Sequence, residues 1–517
     1  VAHLRETLTY EPAELAFGTS GLRGLVTDMT DLECYINARG FLQFVAQNDE
    51  YAPGQPVYLA GDLRDSTPRV MAAMHQAITD AGYQTVYCGL IPTPAVAYYA
   101  LQNDAPCIMV TGSHIPSDRN GIKFYKCAGE VLKEDEAPIK LAVAGVRARQ
   151  YELDAKQSLF SAAGMFTQKP VLPAEDTAAA VAYLDRYVSV FGANALQSKE
   201  VVLYQHSAVG RDLIADLLQK LGATVTPVGR SDVFVPIDTE NVTPKDQAYF
   251  HQLAQENPNA FAIVSTDGDS DRPFVIDATG EFHRGDVLGA VVANWMQADF
   301  AAFPVSSSDA VDSFLTAQNV GWMHTKIGSP FVIEAMEDAA SSGKQRVTGW
   351  EVNGGFLLGA DLQIGQGTLK ALPTRDAVLP ILIALIAANE ANTPVADVFA
   401  ALPARATQAG LIDNFPTEVS KAIVARFSHD TPEVYAELAQ FFTADHGFGA
   451  ITKVNSLDGV RICFDNGDIA HLRPSGNAPQ LRIYSVAASQ ERADEIVALA
   501  IAEPDGIFRA MQNALAA

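Results

Sequence analysis

The chain has 517 residues, room for three or four domains at about 150 residues each. It is 48% apolar and 19% charged, a globular balance that excludes wholesale disorder. Its 36 basic and 61 acidic residues leave a formal charge of −25. That argues against a nucleic-acid or anionic-membrane partner, whose phosphates are met with excess Lys and Arg.

The five cysteines are Cys34, Cys88, Cys107, Cys127 and Cys463. Their number is odd and none form a CxxC pair, so neither a disulfide framework nor a thiolate zinc site is expected, and a reducing cytoplasm is favoured. The first residues, VAHLRETLTYEPAEL, lack the apolar run of a secretion signal.

In chain order, the first notable segment is Phe17-Gly18-Thr19-Ser20-Gly21-Leu22-Arg23-Gly24. Its glycines let a ligand approach the backbone and Arg23 adds charge. It is not a Walker loop, and no clear strand precedes it as a dinucleotide fingerprint requires. From residue 56, PVYLAGDLRDSTPRVMAAMHQAITDAGYQTVYCGL reads strand, polar loop, helix, glycine, strand. EVVLYQHSAVGRDLIADLLQKLGATVTPVG, from 200, repeats the pattern, and AAFPVSSSDAVDSFLTAQNVGWMHTK, from 301, is a weaker copy. Gly82 and Gly222 stand where helix C-caps are expected. Three related α/β domains follow from these repeats.

Between the first two repeats, TGSHIPSDRNGIKF (Thr111 to Phe124) is flanked by the apolar runs CIMV and IKFY. It predicts a polar loop between strands, where function often resides. Ser113 follows Gly112, so it is approachable, and His114 and Lys123 offer proton-transfer or charge-stabilising groups. An ordinary surface turn is the competing reading. After the apolar run AFAIV comes STDGDSDRP (Ser265 to Pro273). Asp267, Asp269 and Asp271 alternate, so three hard oxygens can converge on Mg²⁺ or Ca²⁺. The pattern fails an EF-hand, since Arg272 and Ala278 stand where that loop needs Gly and Glu. Arg272 would then lie beside the cation and could grip an anionic oxygen.

In Gly349-Trp350-Glu351-Val352-Asn353-Gly354-Gly355-Phe356, Glu351 and Asn353 are two apart. In an extended loop they would point the same way, a carboxylate and an amide suited to a sugar hydroxyl. The run from Ala377 to Ala388 is shorter than the ~20 residues of a membrane helix, so a core helix is expected. Linkers are expected at 140–175, 290–300 and Ala391–Pro403. The tail reads as a small α+β domain: a hairpin turning at Asn466-Gly467, the strand QLRIYSVA and the amphipathic helix SQERADEIVALAIA. Within it, Arg473-Pro474-Ser475-Gly476-Asn477-Ala478-Pro479, with Arg482 beyond, can form a phosphate cradle or an ordinary turn.

Taken together, FGTSGLRG, TGSHIPSDRNGIKF, DGDSDRP, WEVNGG and RPSGNAP resemble, in order and spacing, the α-D-phosphohexomutase family. The resemblance runs from Phe17 to Arg482. It implies three similar mixed-sheet α/β domains and a smaller C-terminal α+β domain around a central cleft. The boundaries expected are 1–165 with the active-serine loop, 166–295 with the metal loop, 296–400 with the sugar-specificity loop and 401–517 with the phosphate-binding loop. It implies that Ser113 is the phosphoserine and that Ser113, Asp267, Asp269 and Asp271 hold Mg²⁺. Arg23, Lys123 and Arg272 would flank the transferring phosphoryl group. Glu351, Asn353 and Gly354 would meet the sugar, and Lys326, Arg473, Ser475, Gly476 and Asn477 its phosphate.

The implied activity is Mg²⁺-dependent interconversion of hexose 1- and 6-phosphates, mannose first and glucose second, with a hexose 1,6-bisphosphate as intermediate and activator. The competing class is a phosphosugar phosphatase, or a binding relative without mutase turnover. The sequence departs from the family's usual pattern at three places. Ile115 replaces Asn after the Ser-His pair, Gly355 stands where a His is common, and Ser329 stands where some members carry His. Lys123 then leads as general base, provided that its pKa is lowered, with His324 or His283 as substitutes. A phosphosugar is the expected partner, with no nucleic acid and no membrane.

Overall fold

The computed structural model describes residues 2–18, 21–475 and 479–516. The chain is mixed α/β and falls into two compact units. The first comprises residues 1–301 and 328–399, the second residues 302–327 and 400–517.

The first unit opens with a mixed sheet. Its centre is three parallel strands, Gln84–Leu90, Pro56–Gly61 and Cys107–Val110. Strand Arg119–Lys126 then runs antiparallel to Cys107–Val110, and Leu22–Leu25 antiparallel to Arg119–Lys126. Strands Pro56–Gly61 and Cys107–Val110 are apolar throughout, as strands covered on both faces must be. Helix Thr67–Asp80 joins the first two parallel strands, and Gly82, at φ 83°, takes the left-handed position after its last turn. Helices Asp31–Asn48 and Lys133–Tyr151 pack against each other. The fully buried Phe41 stacks on Phe124 with ring centroids 4.4 Å apart. Replacing Phe41 by Ala should cost ~3–5 kcal/mol, read as a lowered urea midpoint for this unit.

The second sheet of this unit has strand order Phe282–His283, Pro273–Asp277, Ala262–Thr266, Glu200–Tyr204, Thr224–Val228. The repeat from residue 200 takes the expected form, with helix Arg211–Lys220 between Glu200–Tyr204 and Thr224–Val228. A third group, Val347–Trp350, Phe356–Leu358 and Leu372–Asp376, pairs antiparallel. Helix Val378–Ala391 is almost wholly buried, as its apolar run predicted.

In the second unit, Asp309–Ala317 and Gly321–Thr325 are the helix and closing strand of the weaker repeat. A five-stranded antiparallel sheet follows, in the order Ala406–Ile412, Leu481–Ala487, Ile469–Pro474, Val460–Phe464, Ile451–Asn455. The predicted hairpin joins Val460–Phe464 to Ile469–Pro474, and helix Gln490–Ile501 covers the sheet.

Two expected linkers are regular structure instead. Residues 140–151 continue helix Lys133–Tyr151, and residues 290–295 are the second half of helix Gly285–Trp295. Both carry Ala- and Val-rich faces that bury, a helical signal that the flanking polar residues obscured. In the third, Val395–Phe399 forms a short 3₁₀ turn.

Candidate active site

Three turns at strand ends carry most of the first unit's candidate residues; Arg23 and Lys123 lie within strands. Ser113 lies just beyond strand Cys107–Val110, at its carboxyl end, and Asp62 and Arg64 lie beyond the neighbouring parallel strand Pro56–Gly61. Carboxyl ends of parallel strands are where α/β sheets present ligand-binding loops. Ser113 is buried and adopts φ 55°, the left-handed region that L-residues avoid unless the surroundings fix them there.

Those surroundings are Asp62 and Arg64. Arg64 donates to the carbonyls of Ser113 (3.0 Å), Ile115 (2.6 Å), Pro116 (2.8 Å) and Arg119 (2.9 Å). Its guanidinium carbon lies 3.9 Å from the centroid of the Phe234 ring. Asp62 accepts from the Thr67 and Thr111 hydroxyls (2.6 and 2.8 Å) and pairs with Arg64 at 3.2 Å. Gly112 is required here, since a Cβ would fall 2.6 Å from the Arg64 guanidinium carbon. The serine loop is thus tied down from beneath by a buried Arg–Asp pair, and its side chains are left to point elsewhere.

The Asp loop is the tip of an antiparallel hairpin, Ala262–Thr266 with Pro273–Asp277. The Ser113 hydroxyl donates to Asp267 Oδ2 at 2.7 Å, and His114 Nδ1 lies 3.5 Å from Ser113 Oγ. Lys123 Nζ reaches Asp269 Oδ2 at 2.6 Å and Asp271 Oδ2 at 2.7 Å, and Thr93 donates to Asp269 at 2.5 Å. Arg272 lies 3.9 Å from Asp267 and 3.8 Å from Asp271.

All three aspartates are buried, and their neighbours divide them. Burial raises Asp267, and the charges of Asp269 and Asp271 raise it further. Burial pushes Asp269 up too, but Lys123 and Thr93 override it and hold this carboxyl well below its usual range. Asp271 is also held down, chiefly by Arg375 against the opposing push of burial.

The three aspartates each present a carboxylate oxygen within 4.8 Å of one another. Asp269 Oδ1 and Asp271 Oδ1 are buried and accept no hydrogen bond. Buried carboxylate oxygens left unpaired are costly, and a hard divalent cation satisfies several at once. The residues present therefore fit a metal ion.

Arg23 sits on strand Leu22–Leu25, whose register pairs it with Gly121. Burial, then the neighbouring Arg272 and Arg375 charges, lower its guanidinium to about 10. His114 is driven far below the usual imidazole range by burial and by Arg272 and Arg23, so it is a neutral ring at physiological pH. Lys123 is clamped between two carboxylates as their charge partner. His283 is held by Asp277 at 2.9 Å and stacks on Phe399, while His324 pairs with Asp312 at 2.9 Å.

Glu351 to Gly355 form a tight turn between Trp350 and Phe356, closed by Gly354 N–H donating to the Glu351 carbonyl at 2.9 Å. The expected extended loop is therefore corrected. Asn353 turns inward, accepting from Gly355 N–H at 3.0 Å and donating to Glu240 at 3.2 Å. Glu351 pairs with Arg375 at 2.7 Å. The Gly354-Gly355 pair was the signal for a turn rather than an extended segment. Ser329 donates to Glu130 at 2.6 Å.

In the second unit, Arg473 Nε meets Asp458 Oδ1 at 3.0 Å, and Ile327 N–H, next to the exposed Lys326, donates to Asp458 Oδ2 at 2.9 Å. His471 Nε2 lies 2.6 Å from the Asp458 carbonyl. Asp458 thus ties together the two segments expected to bind phosphate. Ser475 is buried, while Gly476 and Asn477 lie outside the described residues.

Sequence reasoning missed Asp62, Arg64, Thr93, Glu240 and Arg375. Three of these had a signal. Asp62 and Arg64 close the first repeat's opening strand, and Arg375-Asp376 directly precedes the longest apolar run.

The family follows from comparison with known proteins. The description "Phosphoglucomutase/phosphomannomutase, alpha/beta/alpha domain I" matches residues 14–148, domain III matches 284–406 and the C-terminal domain matches 421–503. The chain belongs to the phosphoglucomutase/phosphomannomutase family and is an enzyme of the phosphohexomutase class. It is 39% identical over 487 residues to a phosphomannomutase of Sinorhizobium fredii, covering 94% of this chain and 98% of the relative. It is 40% identical over 481 residues to a phosphomannomutase of Salmonella muenchen, covering 93% and 94%. The fold matches that of a phosphoglucomutase/phosphomannomutase family protein from Burkholderia thailandensis, with TM-score 0.72 at 17% identity over 98% of each chain. Among the described residues, no helix is long and apolar enough to cross a membrane.

Proposed function

We propose that the enzyme interconverts mannose 1-phosphate and mannose 6-phosphate, accepting glucose phosphates second, through a phosphoserine at Ser113. The observation that carries this is the placing of Ser113: held in a left-handed conformation by Arg64, with its hydroxyl 2.7 Å from a buried triad of aspartates. The preference for mannose rests on the two phosphomannomutases that the chain resembles over most of its length.

In this reading phosphoserine 113 passes its phosphoryl group to the 6-hydroxyl of a hexose 1-phosphate: the bond from phosphorus to the Ser113 oxygen breaks, the bond to the sugar oxygen forms, and the hydroxyl proton ends on the Ser113 oxygen. The resulting 1,6-bisphosphate reverses in the site and returns its 1-phosphoryl group to Ser113, releasing the 6-phosphate. Phosphoryl transfer is catalysed chiefly by positioning and charge stabilisation, and a phosphoserine carries about −1.5 to −2 charge. Asp267, Asp269 and Asp271 would hold Mg²⁺, which when bound supplies positive charge at the transferring oxygens. Arg23, Lys123 and Arg272 supply the protein's own positive charge. The neutral ring of His114, with Nδ1 3.5 Å from Ser113 Oγ, is assigned the proton that Ser113 gains and loses. Glu351, with Asn353 and Gly354 shaping the turn, meets sugar hydroxyls. On the second unit, Lys326, Arg473, Ser475, Gly476 and Asn477 are assigned to phosphate binding. The reading keeps four domains, bounded near residues 165, 295 and 400, and a cytoplasmic setting.

Asp458→Ala should raise KM for mannose 1-phosphate about tenfold, with kcat changed less, because uniform phosphate binding is lost. Steady-state kinetics check this, and a loss confined to kcat would contradict it. The activity itself is tested by ³¹P NMR with Mg²⁺, a trace of glucose 1,6-bisphosphate, and mannose 1-phosphate or glucose 1-phosphate in separate samples. A growing 6-phosphate signal, faster with mannose, is expected. Release of inorganic phosphate alone would overturn the mutase reading in favour of a phosphatase.

A further inference from the structure

Arg375 is 2% exposed, lies on strand Leu372–Asp376, and spans two loops distant in sequence. Its Nε donates to Asp271 Oδ2 at 3.0 Å, and its Nη1 donates to Glu351 Oε2 at 2.7 Å. Asp271 belongs to the aspartate triad and Glu351 opens the sugar turn. One rigid guanidinium therefore fastens the two loops together. A lysine ammonium is a point charge without the planar fork that lets a guanidinium serve two carboxylates in fixed directions.

The path to Glu351 passes Gly355. A Cβ built at Gly355 falls 2.7 Å from Cδ and Cγ of Arg375 and 2.8 Å from its Cβ. These are the near, least mobile atoms of the arginine side chain, so any larger residue at 355 must push the whole stem aside. Gly355 is not in a left-handed conformation, so its role here is to leave space.

We propose that Arg375 is a positioning residue that orients the Glu351 carboxylate toward the sugar by bracing it against Asp271, through the space that Gly355 leaves open. The proposal rests on the reading of Glu351 as a sugar-binding group. It assigns a function to Arg375 and Gly355 jointly: the glycine and the arginine are two halves of one device.

The test is calorimetric binding of mannose 1-phosphate to the full chain in a Ser113→Ala background, which prevents turnover. Glu351→Gln, Arg375→Lys, their combination and Gly355→Ala are compared, with thermal melting as the check on folding. Glu351→Gln and Arg375→Lys should each weaken binding about tenfold, the size expected when a hydrogen bond to a charged group is lost. The double variant should bind no more weakly than Glu351→Gln alone, because Arg375 acts through Glu351. Gly355→Ala should weaken binding similarly while still carrying Arg375. Additive losses in the double variant, or unchanged binding in both Arg375→Lys and Gly355→Ala while Glu351→Gln binds weakly, would overturn the positioning role. Unchanged binding in Glu351→Gln would instead remove the sugar-binding reading of that turn, and the proposal with it.

Discussion

Alanine at position 113 is expected to abolish phosphoryl transfer, lowering kcat by ~10⁴-fold or more, the scale seen when a nucleophile is removed from a concerted site. The fold should survive. The left-handed backbone at Ser113 is held by Arg64, which donates to its carbonyl, and by the Thr111 hydroxyl, which accepts from its N–H, and neither contact uses the serine side chain. What is lost is one hydrogen bond to Asp267, worth about 1–3 kcal/mol when its acceptor stays buried. The melting temperature should therefore fall by about 2–12 °C, at about 2–4 °C per kcal/mol for domains of this size. Retained turnover in a folded Ser113→Ala protein would remove Ser113 as the phosphoryl carrier.

The second large effect is expected from Asp269→Asn. This aspartate accepts from Lys123 at 2.6 Å and Thr93 at 2.5 Å, and its other oxygen is buried without a hydrogen bond. An amide there removes a negative oxygen from the cation site and presents a donor to the Lys123 ammonium. Activity at saturating Mg²⁺ should fall about a hundredfold or more, as when a directly charge-stabilising group is lost. The Mg²⁺ concentration giving half-maximal activity should rise at least about tenfold. Calorimetric titration of Mg²⁺ into both proteins checks the binding part independently of turnover. Identical titrations would show that Asp269 is not a ligand.

The first two α/β repeats were readable because each begins with an apolar strand and closes its helix on a left-handed glycine, Gly82 or Gly222, a place that Asn319 takes in the third. The short-range motifs were readable for a similar reason. Ser113, Asp267, Asp269 and Asp271 lie in polar loops bounded by apolar strands, so their place at strand ends follows from the local pattern. The groups that hold those loops were not readable. Arg64 acts on carbonyls about fifty residues away, and Arg375 joins Asp271 to Glu351 across two separate hairpins. Nothing in local periodicity encodes such pairings, which exist only once the sheets have packed. The turn at Glu351 failed as an extended loop because its two glycines favour tight reversal, and Asn353 then satisfies Gly355 N–H rather than facing outward. The clamp on Lys123 was hidden for the same reason. Its two carboxylate partners lie on a loop more than a hundred residues further on.

The most direct test of the account is to charge the enzyme and then discharge it. The purified protein is treated with Mg²⁺ and glucose 1,6-bisphosphate, freed of small molecules, and analysed by intact and peptide mass spectrometry. One phosphate should be found, on Ser113. It should leave the protein when mannose 6-phosphate is added and appear as a mannose 1,6-bisphosphate. Phosphate on a different residue, or phosphate on Ser113 that mannose 6-phosphate does not remove, would contradict the phosphoserine relay on which the proposed function depends.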